Sequence, residues 1–353
     1  MIKLPGLIDS HTHPRGLPTD DYKETFLTAT AAALAGGFTT IFDMPNNPKT
    51  PTLTNELLAE KQSIASKQIV CDVGFFFGTN GQNFKEFAQA AEKSKGLKVF
   101  LSQSTGNLLV NLESFAQICE QWTANLPILL HVEEDLVLPA LEIAKQANKQ
   151  IHVSHVSSEK ELRQVFIAKA KGYNVTCGVT PHHLYLTQAD AVKLGSLGNV
   201  KPSLKTKKDV DFLWSNLKDI DVIESDHAPH TLEEKTSSNP PFGFPGLETT
   251  LPLLLTSVSQ DKLTIADIKR LCHDSPAKIF NVATDPQTAI EIDENEEWTI
   301  ENDQLFTKCQ WSPFAGWKVK GKVKRVFIRG TKVFEDGKIL AKPGFGKIIN
   351  YEN

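Results

Sequence analysis

The chain has 353 residues, 40% hydrophobic and 23% charged, with a formal net charge of −4. That balance supports a large buried core. It argues against a nucleic acid or an anionic membrane surface as partner, and no apolar run is long enough to span a bilayer, Leu251 to Val258 being the nearest. The five cysteines, Cys71, Cys119, Cys177, Cys272 and Cys309, are scattered and contain no C-x-x-C pair. This fits a reducing compartment, and Met1 to Gly6 has no secretory pattern, so a cytoplasmic protein is expected.

Short β-branched runs alternate with helical segments in chain order. Strands are predicted at 6–9, 39–42, 70–77, 97–101, 127–131, 151–155, 174–179 and 222–225. Helices are predicted between them at 24–34, 55–66, 84–93, 112–122, 136–146 and 159–171, the first closed by Gly36-Gly37. Eight strands, most separated by helices, point to an α/β fold, a closed (β/α)8 TIM barrel over residues 1–292. An open doubly wound sheet is the rival, and no G-x-G-x-x-G follows a strand. The tail reads differently. Lys322 to Ile328 and Thr331 to Phe334 alternate like strands, and Asp336-Gly337 signals a turn, so residues 293–353 are expected to form a small β appendage. The polar segment Ser237 to Gly243 reads as a functional loop.

The histidines carry the chemistry. His11 and His13 close the first strand at i and i+2, so both imidazoles face one side. His131 ends the fifth strand, His155 the sixth, and Asp226 the eighth, within Ser225-Asp226-His227-Ala228-Pro229-His230. Catalytic residues of an α/β barrel gather at these strand ends. A lone H-x-H is often incidental, a lone strand histidine is often a core residue, and an aspartate after a strand is often a helix cap. All of those readings would have to hold together at one barrel mouth, so a metal site is the better reading. Lys98 lies in the apolar strand Gly96-Leu97-Lys98-Val99-Phe100-Leu101. Taken alone it would reach for solvent. Beside the histidines, burial would leave a neutral amine able to add CO2 and bridge two metals as a carbamate.

With these residues assembled, the chain resembles the dihydroorotases of the cyclic amidohydrolase superfamily, and most of all the type found within multifunctional pyrimidine-synthesis proteins of animals. The specific stretches are His11-Thr12-His13-Pro14-Arg15, Asp43-Met44-Pro45-Asn46, Ser225 to Thr231 and Gly243-Phe244-Pro245-Gly246-Leu247-Glu248-Thr249. The resemblance implies a metal-dependent hydrolase barrel that interconverts L-dihydroorotate and N-carbamoyl-L-aspartate. It implies that His11, His13, carboxylated Lys98 and Asp226 hold one zinc, and that Lys98, His131 and His155 hold another, with a hydroxide between them. Asp226 would be the general base and acid. Arg15, Asn46 and His230 would bind the substrate carboxylate, and Pro245 and Gly246 the ring amide. Ser104 and Thr105 would belong to a mobile loop.

Ser154 and Gly178 stand where some relatives use a cysteine and a glutamate for a further zinc, so no third site is expected. Lys201 replaces a substrate-facing arginine, and His152, His182, His183 and His273 read as structural. A homodimer and association with aspartate transcarbamoylase are expected. The alternatives are a hydantoinase or allantoinase, which need bind no carboxylate, and an inactive scaffold for aspartate transcarbamoylase, which would be free to lose its ligands.

Overall fold

A computed structural model describes residues 1–104, 106 and 108–350. The apolar runs form a ring of parallel strands: β1 (Leu7–Thr12), β2 (Phe38–Asp43), β3 (Asp72–Phe75, resumed at Phe77–Gly78), β4 (Leu97–Phe100), β5 (Ile128–His131), β6 (Ile151–Val153), β7 (Val175–Val179) and β8 (Val222–Ile223). Each pairs in parallel with the next. The ring closes where Thr12 bridges His227, where the His13 amide donates to the His227 carbonyl at 2.8 Å, and where the Ser225 amide donates to the Asp9 carboxylate at 3.1 Å. Near-continuous burial of these strands is the mark of a parallel sheet covered by helices. Inside the ring, Phe76 stacks on Phe42 at 5.3 Å and meets Phe280 edge-on at 5.6 Å. Gly74 makes this possible, since a Cβ there would lie 2.5 Å from the Phe42 ring.

Four predicted elements end elsewhere, each for a local reason. The first helix is Phe26–Ala35, because the Thr25 hydroxyl caps it by accepting the Thr28 amide. The third strand is interrupted at Phe76, whose ring turns in towards Phe42. Strands six and eight stop at Val153 and Ile223, short of His155 and Asp226. Those two residues have left-handed backbones, φ +40° and +45°, which take the chain out of the sheet at the mouth.

The expected β appendage is present and draws on both chain ends. Its antiparallel sheet contains β9 (Ala289–Thr299), β10 (Lys318–Ile328), β11 (Thr331–Glu335) and β12 (Lys338–Ile339), and its outer strand is the N-terminal Ile2–Pro5, paired with β9. A division between residues 292 and 293 would cut β9. The tail also returns to the barrel, where β13 (Ile348–Ile349) runs parallel to β3. Strand pairing takes residues from both chain ends, which a linear reading of the tail does not register.

Candidate active site

Five strand ends deliver the predicted ligands to one place. Asp9, in β1, accepts the His11 amide at 3.0 Å and the Ser225 amide, tying β1 to the turn after β8. Burial pushes its carboxyl up to about 7. His13 Nε2 lies 3.0 Å and His11 Nε2 3.3 Å from the same oxygen, Oδ1 of Asp226. His131 Nδ1 lies 2.9 Å from His155 Nε2. Among the described residues, ligand atoms of His11, His155 and Asp226 all lie within 4.8 Å of one another. Lys98 is fully buried and donates to the Ser154 hydroxyl at 2.9 Å.

The electrostatics follow from dehydration. Burial lowers His11 to about 4, holds His13 and His155 well below the usual histidine range, and lowers the Lys98 amine to about 8. It raises the Asp226 carboxyl well above the usual range. Neutral imidazoles with lone pairs converging on a buried carboxylate are a donor set for a divalent ion, and the residues present fit one. His11 Nδ1 and His155 Nδ1 are buried without hydrogen-bond partners, so the inward nitrogens are the ones gathered together.

The cavity beside this cluster is lined by Arg15, Asn46, Ser104, Lys201, Phe242 and Gly243 as well as by the histidines and Asp226. Arg15 has φ +63°. A non-glycine residue held in that region costs on the order of 1–3 kcal/mol and tends to occur at functional sites. Its turn is anchored from below: Asn47 donates to the Arg15 carbonyl at 2.9 Å and accepts from Lys61 at 2.6 Å, and Lys61 pairs with Asp43 at 2.5 Å, all buried. A larger groove, about 990 Å³ along Tyr185, Trp214 and Trp317, contains none of the clustered histidines.

Other expected site residues stand differently. His230 is buried behind Arg15, its Nε2 3.2 Å from Nη2 and its Nδ1 3.2 Å from Lys23 Nζ. It braces the guanidinium and is absent from the cavity wall. The Gly246 amide is donated to His227 Nδ1 at 3.1 Å and its carbonyl accepts the Thr250 hydroxyl at 2.8 Å, so neither is spare for a ring amide. Gly243, and not Pro245 or Gly246, lines the cavity. Thr105 lies outside the described residues, while Ser104 is on the wall. Lys201 stands 5.6 Å from the Phe242 ring centre. His183 bonds Thr180 and the Pro202 carbonyl, His273 bonds the Gly6 carbonyl, and His152 bonds Thr176.

The sequence reading passed over Glu224, Asp9 and Lys235. For Asp9 and Glu224 the signal was an acid at the end of an apolar run; Lys235, flanked by Glu234 and Thr236, carried none. Lys235 donates to the carbonyls of Asn199, Pro241 and Gly243, holding the cavity loop.

Residues 2–233 match the amidohydrolase family, and the chain belongs to that family. Within it the chain stands among the dihydroorotases. It is 36% identical to the dihydroorotase of Pyrococcus horikoshii, an alignment covering 100% of this chain and 85% of that one. It is 42% identical to the multifunctional protein CAD of Squalus acanthias over 99% of its length, but spans only 16% of that much longer relative. In structure it superposes on the L-hydantoinase (dihydropyrimidinase) of Arthrobacter aurescens with a TM-score of 0.93, at 25% identity, covering 99% of this chain and 89% of the other.

Proposed function

We propose that the chain catalyses the reversible hydrolysis of L-dihydroorotate to N-carbamoyl-L-aspartate, a step in making pyrimidines. One observation carries the reading: a single cavity is lined by His11, His13, His131, His155 and Asp226 together with buried Arg15 and Asn46. In this reading His11, His13 and Asp226 would hold one divalent ion and His131 and His155 another, and Lys98, if carboxylated, would supply further oxygen donors. Zinc is the ion expected for such nitrogen and oxygen donors. When bound, the ions acidify water and polarise a carbonyl.

The remaining work belongs to the chain. Asp226 accepts the proton of the attacking water and returns it to the ring nitrogen as the C–N bond breaks; in the cyclising direction the same carboxylate works in reverse. Arg15 holds the substrate carboxylate with a planar, two-pronged contact, assisted by Asn46. His230 keeps Arg15 aimed. Lys201 beside Phe242 places a second cation at the cavity wall. A cytoplasmic homodimer and association with aspartate transcarbamoylase extend the proposal to the whole protein.

The structural likeness to a hydantoinase favours a second reading, a ring opener for substrates without a carboxylate. Purified protein assayed on dihydroorotate, hydantoin and allantoin, with metal measured on the same sample, separates the two. Turnover of dihydroorotate alone, with two zinc ions per chain, is expected. Turnover confined to hydantoin or allantoin replaces the proposal with the second reading, and a metal-loaded protein inert on all three is a scaffold.

A further inference from the structure

We infer that Glu224 is a positioning residue that binds the two halves of the metal centre into one unit, an inference that rests on the metal-centre reading above. It sits just past β8 and is fully buried. Its Oε1 accepts the His155 amide at 2.6 Å and lies 3.8 Å from His11 Nδ1. Its Oε2 accepts the Ser10 hydroxyl at 3.1 Å and lies 3.4 Å from His152 Nε2. One carboxylate therefore touches the strand bearing His11 and the turn that presents His155. Those histidines belong to opposite metal positions.

A carboxylate deprived of water is expensive to keep unless it is paired and hydrogen-bonded, so this one has a use. The His155 backbone is left-handed, φ +40°, and the Oε1 contact is the hydrogen bond that holds its amide. For His11, the nitrogen turned toward Asp226 is Nε2, so the ring proton belongs on Nδ1, which lies 3.8 Å from Glu224 Oε1, at ion-pair distance. A histidine ligand is ordinarily oriented through its outer nitrogen, and disturbing that partner typically costs about 10–100-fold in metal affinity or activity.

The sequence makes room for this device. A Cβ at Gly178 would lie 2.5 Å from Oε1 and 2.6 Å from Cδ of Glu224. The carboxylate enters the space beside Gly178 from the next strand, and the glycine leaves room for it. Because its anchors come from β1 and from β6 with the turn that follows it, the carboxylate cannot step aside for a larger residue without breaking one of them.

The test uses the full-length zinc-loaded protein, Glu224→Gln, and Gly178→Ala, which keeps the carboxylate but crowds it. Zinc release to a chelating dye, melting of the metal-free forms, and kcat and KM for dihydroorotate are measured. Glutamine still accepts the His155 amide, so the metal-free melting temperature stays near wild type. Zinc leaves at least about tenfold faster and kcat falls by about tenfold or more, while KM, set by Arg15, changes by less than about twofold. Gly178→Ala shifts zinc release in the same direction. Wild-type zinc retention in a folded Glu224→Gln, or in Gly178→Ala should the first variant not fold, overturns the inference. A wild type that holds zinc but ignores dihydroorotate removes the substrate proposal, and the zinc-release comparison still decides the role of Glu224. A wild type that takes up no zinc overturns both.

Discussion

At the scale of single residues the proposed site divides into groups that would hold metal and groups that would recognise substrate, and substitutions separate them. Lys98 is buried with a lowered amine, and it donates to the Ser154 hydroxyl. Lys98→Ala is expected to lose most activity and to bind metal weakly, and short carboxylic acids are expected to restore part of the rate by standing in for a carbamate. Near-wild-type activity with two metals retained would show that nothing bridges there. Arg15 is the opposite case, since it lines the cavity but is not a ligand. Losing a charge-assisted contact to a buried partner costs roughly 2–5 kcal/mol. Arg15→Met is therefore expected to lower kcat/KM for dihydroorotate by more than about tenfold, at about 1.4 kcal/mol per decade, with metal content unchanged. Equal losses on dihydroorotate and on an analogue without the carboxylate would assign Arg15 to the fold.

At the scale of elements, the wall of the cavity depends on a short helix and a loop. Lys235, in helix Leu232–Lys235, donates to the carbonyls of Asn199 at 2.7 Å, Pro241 at 3.0 Å and Gly243 at 3.2 Å. Its ammonium also lies 5.5 Å from the ring centres of Phe244 and Trp311. One buried cation thus closes the loop that carries Phe242 and Gly243 into the cavity. Lys235→Met keeps the stem but removes the donor to the Pro241 and Gly243 carbonyls, while the Asn199 carbonyl keeps its bond from the Gly243 amide. It is expected to destabilise the protein by about 2–4 kcal/mol and to raise KM with metal content unchanged. The measurements are thermal melting and steady-state kinetics; an unaltered KM would mean the loop holds its shape without the lysine.

At the scale of the whole molecule, the half-buried carboxylate of Glu248 joins the barrel to the segment that leads into the appended sheet. Glu248, in helix Leu247–Val258, accepts the amides of Phe306 at 2.9 Å and Thr307 at 3.0 Å from the segment between β9 and β10. Burial raises its carboxyl from 4.5 to about 8. A carboxyl raised in the folded state binds a proton that the unfolded chain has already lost. Its stabilisation is therefore complete below about pH 4.5 and disappears as the pH rises through about 8. Between pH 6 and pH 9 this amounts to about 2–3 kcal/mol. Glu248→Gln removes the titration, so the melting temperature of wild type is expected to fall further than that of the variant over this range. A difference between the two that stays constant with pH would show that Glu248 does not titrate in the folded protein.

Much of the site was legible because barrel geometry converts sequence position into spatial position. Residues at the C-terminal ends of alternating strands must meet at one mouth, so His11, His13, His131, His155, Asp226 and Lys98 followed from strand ends and an amine in an apolar run. The class of fold followed from the same alternation, and the family from short motifs around those ligands. Tertiary structure decided what linear order leaves open. It turned His155 and Asp226 into the mouth with left-handed backbones, moved His230 behind Arg15, and spent the Gly246 amide on His227. It recruited Ile2–Pro5 into the appended sheet and returned the tail to β3, because pairing edges become adjacent only once the ring has closed. Glu224 shows the division most clearly. In sequence it is one acid before a known motif, and its use appears only when Ser10, His11, His152 and His155 arrive around it from strands up to 214 residues away.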